Sequence, residues 1–201
     1  MGVQERRERQ KHQVRHQILD AAREIFAAEG VEALTMRRVA EKIEYSPTTI
    51  YLHFKDKAEL VQAICDETFA GLIKRLEELA KKHKNPFDYL DAGLRAYIDF
   101  GLKHPSHYWV TFVVGPPSVA YEYEGSSGQR AFEFLRGAVR VCIDAGLMRK
   151  VDVDATAQML WMTVHGLVAQ LVGNKSFPFV AKHKLIDAQM DMLLRGLRAE
   201  E

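Results

Sequence analysis

Apolar residues recur along this chain at helical spacing, and no alternating run is long enough to predict a strand. From about residue 12 to 29, Ile18, Ala22, Ile25 and Phe26 share one stripe, and Gly30 supplies a stop. A short second helix starts at Thr35 as N-cap and carries Met36, Val39, Ala40 and Ile43. After a turn at Glu44-Tyr45, Ser46 is an N-cap and Pro47 suits the first helical position, where its missing N–H costs nothing. That third helix is brief, about 47–54. Asp56 and Glu59 form an Asp-x-x-Glu variant of the capping box and open a long helix to about Lys82.

Asn85-Pro86 opens the next helix, with Phe87, Leu90, Leu94, Tyr97, Ile98 and Gly101 along it, and His104-Pro105 closes it. An aromatic segment, 108–114, follows. Gly115 to Gly128 holds Pro116, Pro117, Gly125, Ser126 and Ser127 and reads as a mobile loop. Two apolar helices come next, about 129–145 and 154–172. Phe177-Pro178-Phe179 makes a turn before a last helix with Ile186, Met190, Leu193, Leu194 and Leu197 on one stripe. The expected fold class is all-α, with a small three-helix unit ahead of a larger helical body.

Composition narrows the picture. With 201 residues, 47% hydrophobic and 27% charged, the chain reads as an ordinary globular protein. The 28 Lys and Arg against 27 Asp and Glu exclude histone-like binding by bulk charge. Two cysteines, Cys65 and Cys142, make no disulfide framework and suggest reduced thiols. The longest apolar stretch, 159–173, is interrupted by Thr163, His165 and Gln170 and falls short of the ~20 residues of a membrane span. Arg6, Arg7, Arg9, Lys11 and Arg15 are followed by no apolar core of a signal peptide, so a cytoplasmic protein without membrane partners is expected.

The informative stretch is 35–57. Two short helices joined by a tight turn match the helix-turn-helix plan, which places its second helix in the DNA major groove. At 100° per residue, Ile50 and Phe54 point inward and would pack on Val39, Ala40 and Ile25. Thr48 and Leu52 then face outward, flanked by Thr49, Tyr51 and Lys55. Methyls of Thr and Leu can touch thymine methyls, and the hydroxyls can bond base edges or phosphates. The competing reading is a helical adaptor that meets another protein through the same exposed Tyr and Leu. Residues 1–57 hold 11 Lys and Arg against 9 Asp and Glu, and residues 1–16 hold 5 against 2. Such an arm either follows the phosphate backbone or is a solvated tail.

A resemblance enters through Ile18-Leu19-Asp20-Ala21-Ala22, Phe26-Ala27-Ala28-Glu29-Gly30, Thr35-Met36-Arg37-Arg38-Val39-Ala40 and Ser46 to Leu60. In order and spacing these resemble the N-terminal DNA-binding domain of TetR/AcrR transcriptional regulators. The resemblance implies a DNA-binding domain at 1–57 and a ligand-binding and dimerisation domain at 58–201. It implies a homodimer, usually a repressor, released from a palindromic double-stranded operator by a small-molecule inducer. The DNA-binding set it implies is Thr35, Arg37, Ser46, Pro47, Thr48, Thr49, Tyr51, Leu52, His53 and Lys57. Within it Thr35, Tyr51, His53 and Lys57 would contact phosphates, and Leu52 would lie near bases. The chain departs from the family's Ala-Gly-Val-Ser turn with Ile43-Glu44-Tyr45-Ser46, which puts Glu44 where a positive φ is wanted, at about 1 kcal/mol, and Tyr45 where a small core residue is usual. Leu160 to Leu167 is similar to the Trp-x-x-x-His-Gly helix of one subgroup of family C-terminal domains.

Other groups carry weaker chemistry. His104 and His107, or His12 and His16, lack the carboxylate or Cys partners of a metal site, so no metal or cofactor is expected. Tyr97, Phe100, Tyr108, Trp109, Phe112, Trp161 and Met162 either fill the core or line a cavity for a mainly hydrophobic inducer, with His165 its polar anchor or a core histidine. The apolar last two helices are expected to pair two copies in a four-helix interface. An enzyme using Cys142 or His165 is disfavoured, because no nucleophile elbow, phosphate-cradling loop or carboxylate pair is visible.

Overall fold

The structure, a computed structural model, describes residues 2–30, 32–114 and 123–199. Among the described residues there are helices but no strand, and one isolated bridge joins Met148 to Arg198. The helices are α1 (Val3–Glu29), α2 (Met36–Lys42), α3 (Pro47–Tyr51), α4 (Lys57–Lys82), α5 (Pro86–Lys103), α6 (Pro105–Tyr108), α7 (Ser127–Asp144), α8 (Val153–Gly173) and α9 (Lys182–Arg195). A π-helical segment, Trp109–Val114, continues α6. None is long and apolar enough to cross a membrane.

Local chemistry explains most boundaries. Gly30 ends α1 at φ 86°, with its N–H on the carbonyl of Phe26. Asn85 caps α5 by accepting from the N–H groups of Phe87 and Asp88, and Pro86 takes the first turn. Asp152 caps α8 through the Ala155 N–H at 2.7 Å. Asp56 caps α4 through the Glu59 N–H at 2.9 Å, and the Glu59 carboxylate accepts from the Lys55 N–H at 2.5 Å. The reciprocal half of the box thus lands one residue ahead of the cap.

Three elements differ from expectation. Helix α1 begins at Val3, ahead of the expected start near His12, because 3–11 are mostly good helix formers with no apolar stripe to announce them. Helix α3 ends at Tyr51 rather than Phe54, although Phe54 still donates its N–H to the Ile50 carbonyl at 3.0 Å. Helix α7 starts at Ser127, ahead of Gln129, since Ser126 accepts from the Gln129 N–H at 3.0 Å. The loop expected over 115–128 lies for the most part, 115–122, outside the described residues.

The chain forms two compact units. The first comprises the described residues of Met1–Thr68 and Pro105–Tyr121, and the second those of Phe69–His104 and Glu122–Glu201. The first core gathers Ile18, Ala22, Ile25 and Phe26 of α1, Val39 and Ala40 of α2, Ile50 of α3, Phe54, and Leu60, Val61 and Ile64 of α4. Arg23 of α1, largely buried, pairs with Asp20 at 2.6 Å and with Glu67 of α4. Helix α6 packs on α1, so the turn after Pro105 belongs to this unit. In the second unit α5, α7 and α8 pack mutually around Leu90, Leu94, Ile98, Val139, Cys142, Leu160, Val164 and Val168, and α9 rests on α5 and α8 through Met190.

Candidate nucleic-acid interface

Helices α2 and α3 pack closely, and the link between them is a Schellman motif. The Tyr45 N–H donates to the Ala40 carbonyl at 2.9 Å, and the Glu44 N–H donates to that of Glu41 at 3.3 Å. Closing it places Glu44 at φ 60°, the one non-glycine residue with positive φ among those described. The turn keeps the geometry a glycine would give while carrying the strain of a side chain. Tyr45 lies 40% exposed rather than in the core.

Ser46 accepts from the Thr49 N–H at 3.2 Å, and the two hydroxyls lie 3.0 Å apart. Ile50 and Phe54 are buried against Val39, Ala40 and Ile25, as the 100° spacing requires. The opposite face presents Ser46, Pro47, Thr48, Tyr51 and Leu52 to solvent, with Leu52 75% and Tyr51 56% exposed. Thr49 is half-buried and its hydroxyl is shared with Ser46, so Thr48 offers the more accessible group. An apolar residue as open as Leu52 wins nothing from its own fold.

The flanking positions surround this face with donors. Thr35 accepts from the Arg38 N–H at 3.2 Å, which leaves its hydroxyl proton to donate elsewhere. Arg37 is exposed and holds an i,i+4 pair with Glu41 at 3.0 Å, a weak surface contact. Lys57 stands in the first turn of α4. Asp56 occupies the Glu59 N–H at that terminus, and Lys57 adds a cationic side chain to it.

Side chains of the basic arm and of α2 complete the edge, in places that the sequence did not assign to them. Arg15 of α1 lies 4.3 Å over the Phe54 ring and donates to the His53 carbonyl at 3.4 Å. Burial first, then the charges of Lys11 and Arg15, hold His53 below the usual imidazole range. Arg38 clamps Glu29 and reaches the Ala33 carbonyl at 3.3 Å, tying the end of α1 to α2. Helical spacing of Lys11 and Arg15 was the available clue, but nothing in sequence ties it to residue 53.

The candidate ligand residues fall into both units. In the second, the Tyr97 hydroxyl and His165 Nδ1 are 3.1 Å apart, the Trp161 ring centre lies 5.4 Å from His165, and Phe132 meets Trp161 edge-on at 6.5 Å. Burial lowers the His165 pKa, which favours the neutral ring, and its tautomer sets which of the two groups donates to the other. The Phe100 and His104 rings are tilted against each other with centres 5.1 Å apart, while Met162 turns outward, 56% exposed. In the first unit Tyr108 and Phe112 are 5.2 Å apart, and Trp109 packs against the core around α1. Cys65 and Cys142 are buried, each thiol pushed up to about 11 by burial. No group of three metal-ligating side chains occurs among the described residues.

A family model described as bacterial regulatory proteins, tetR family, matches residues 18–64, and one described as tetracyclin repressor-like, C-terminal domain, matches 90–193. The HTH-type transcriptional regulator TcmR of Streptomyces glaucescens is 31% identical over 96 residues, 46% of this chain and 40% of that one. The chain spans about half the length of the curated relatives it matches. The fold is similar to that of the TetR family transcriptional regulator PfmR from Thermus thermophilus, with TM-score 0.73, 22% identity and coverage of 89% of this chain and 97% of that one. It is also similar to FadR from Bacillus subtilis, solved in complex with stearoyl-CoA, with TM-score 0.76, 20% identity and coverage of 90% and 98%.

Proposed function

Because the chain belongs to the TetR family of bacterial regulatory proteins, we propose that it is a sequence-specific transcriptional repressor that leaves a palindromic operator when a small, mainly hydrophobic inducer binds. The observation that carries this reading is the open face of α3, where Thr48, Tyr51 and Leu52 stand clear of a core filled by Ile50 and Phe54. Thr48 and Leu52 read base edges and thymine methyls in the major groove, and Thr35, Tyr51, His53 and Lys57 hold phosphates. Ser46, Pro47 and Thr49 fix the helix end that enters the groove, and Arg37 adds a backbone contact once its weak pair with Glu41 opens.

Two copies pair through α8 and α9. Met159, Met162 and Gly166 of α8 and Met192 of α9 are not buried within the single chain, and a partner would cover the apolar surface they form. The dimer sets two reading helices about 34 Å apart, one turn of duplex, which is why the operator is expected to be palindromic. Within the second unit the inducer is held beside Phe100 and Trp161, with the Tyr97–His165 pair as its polar anchor. An apolar part to the ligand fits the stearoyl chain of the stearoyl-CoA that FadR of Bacillus subtilis, a chain of this fold, holds in its complex. Inducer binding must favour one dimer arrangement over another, because a ligand of equal affinity for both shifts nothing. Helix α4, continuous from Lys57 to Lys82, is the covalent lever between reading head and ligand body.

An adaptor that uses the same α3 face for a protein partner gains no support from membership in a family of regulators, and an enzyme gains none either. The test is selection of bound duplexes from random and genomic DNA, followed by mobility shift with Thr48→Ala and Tyr51→Ala. A loss of about tenfold or more in affinity is expected for each, the scale of one good groove or phosphate contact. Binding unchanged by both substitutions would refute the assignment of α3.

A further inference from the structure

We propose that the extension of α1 carries a second DNA-contacting surface, the ridge Arg7–Lys11–Arg15, which follows the phosphate backbone beside each half-site. The inference rests on the reading of α3 given above and adds a contact that lies outside the helix-turn-helix.

Residues 4–13 of α1 are all exposed, so this stretch is a helix that buries nothing of its own. Its start is built rather than frayed: the Glu5 carboxylate accepts from the Gly2 N–H at 3.0 Å. Residues 3–11, ahead of the start that the apolar pattern predicts, add about 13 Å of rod at about 1.5 Å per residue.

Within that rod the charges are sorted by face. Arg7, Lys11 and Arg15 are spaced i, i+4, i+8 and stay within about 80° of one another, whereas Arg9 and Arg6 lie about 120° and 180° from Arg15. Glu8 borders the ridge and is its one acidic neighbour on that side. The ridge is anchored next to the reading helix. Val14 is buried in the first core, and Arg15 sits over Phe54 with a bond to the His53 carbonyl. After burial, the charges of Lys11 and Arg15 lower the His53 pKa, so both face the chain just past α3. A cationic row that begins where the groove-reading face ends meets the phosphates next to the bases being read.

The test uses the full chain and a duplex it selects from a random-sequence library, with affinity measured by fluorescence anisotropy between about 50 and 200 mM salt. Each lost phosphate contact flattens the log–log salt dependence by about 0.9. Arg7→Gln/Lys11→Gln removes two contacts per protomer, so a dimer should flatten by roughly 3 to 4, and the affinity ratio across that salt range should shrink by roughly 100-fold. Arg6→Gln/Arg9→Gln, with the same charge change on the other face, should leave the slope within about one contact of the parent. Arg7→Lys/Lys11→Arg should keep the parent slope, which separates lost charge from a melted helix. Equal flattening by both Gln pairs, or by neither, overturns the ridge. Thr48→Ala and Tyr51→Ala variants that bind like the parent would instead overturn the reading of α3, and a parent chain that binds no duplex would overturn both.

Discussion

Replacing Glu44 by glycine should stabilise the protein. Glu44 occupies the left-handed region at φ 60° because the Schellman bonds from Glu44 and Tyr45 to the last carbonyls of α2 require it. A side chain there costs about 1–2 kcal/mol, from the approach of Cβ to the following carbonyl. Glycine removes that cost but gives the unfolded chain more freedom, worth about 0.5–1 kcal/mol. The balance is a gain of up to about 1.5 kcal/mol, or up to roughly 6 °C in Tm for a chain of this size. Urea titration and thermal melting of Glu44→Gly, Glu44→Ala and the parent measure it. Alanine keeps the strained φ, so Glu44→Ala should stay within about 0.5 kcal/mol of the parent. Because the turn is already closed, operator affinity should not change with either. A Glu44→Gly protein less stable than the parent, or an alanine variant that gains as much, would refute the strain argument.

Ile50→Ala should cost about 2–5 kcal/mol in urea titration, because Ile50 is fully buried, whereas Leu52→Ala should leave stability within about 0.5 kcal/mol and weaken operator binding. Burial lowers the His165 pKa in the folded protein, so the unfolded chain binds more protons just below its own pKa of about 6.5. Stability from this group is therefore complete above that pH and is lost as pH falls toward the lowered folded value. His165→Gln should lose less stability than the parent in paired urea titrations between about pH 8 and about pH 5. With both thiols pushed up to about 11, roughly one in a thousand is ionised at about pH 8, so native Cys65 and Cys142 should react with a disulfide reagent far more slowly than in urea.

Where polar punctuation met an apolar stripe, the fold was legible in advance. Asn85-Pro86, Ser46-Pro47 and Asp56 with Glu59 all open helices where their chemistry places them. The inward Ile50 and Phe54 and the outward Thr48 and Leu52 followed from one angle per residue. Even the strain at Glu44 was readable, because the turn demands a backbone conformation regardless of what residue fills it. The start of α1 was not, since Val3 to Lys11 carries no apolar repeat and a helix that buries nothing leaves no trace in a stripe. The division of the aromatics was not either: Trp109 joins the core around α1 while Trp161 meets His165, and only the tertiary path of the chain after Pro105 decides that.

The most direct measurement of the central claim is hydroxyl-radical footprinting of the selected duplex, joined to sedimentation of the complex. Two chains per duplex are expected, with two protected patches related by two-fold symmetry and centres about 34 Å apart, and Thr48→Ala should raise the protein concentration needed for both by about tenfold or more. A single protected patch, one chain per duplex, or protection at the parent's protein concentration after that substitution would contradict this reading.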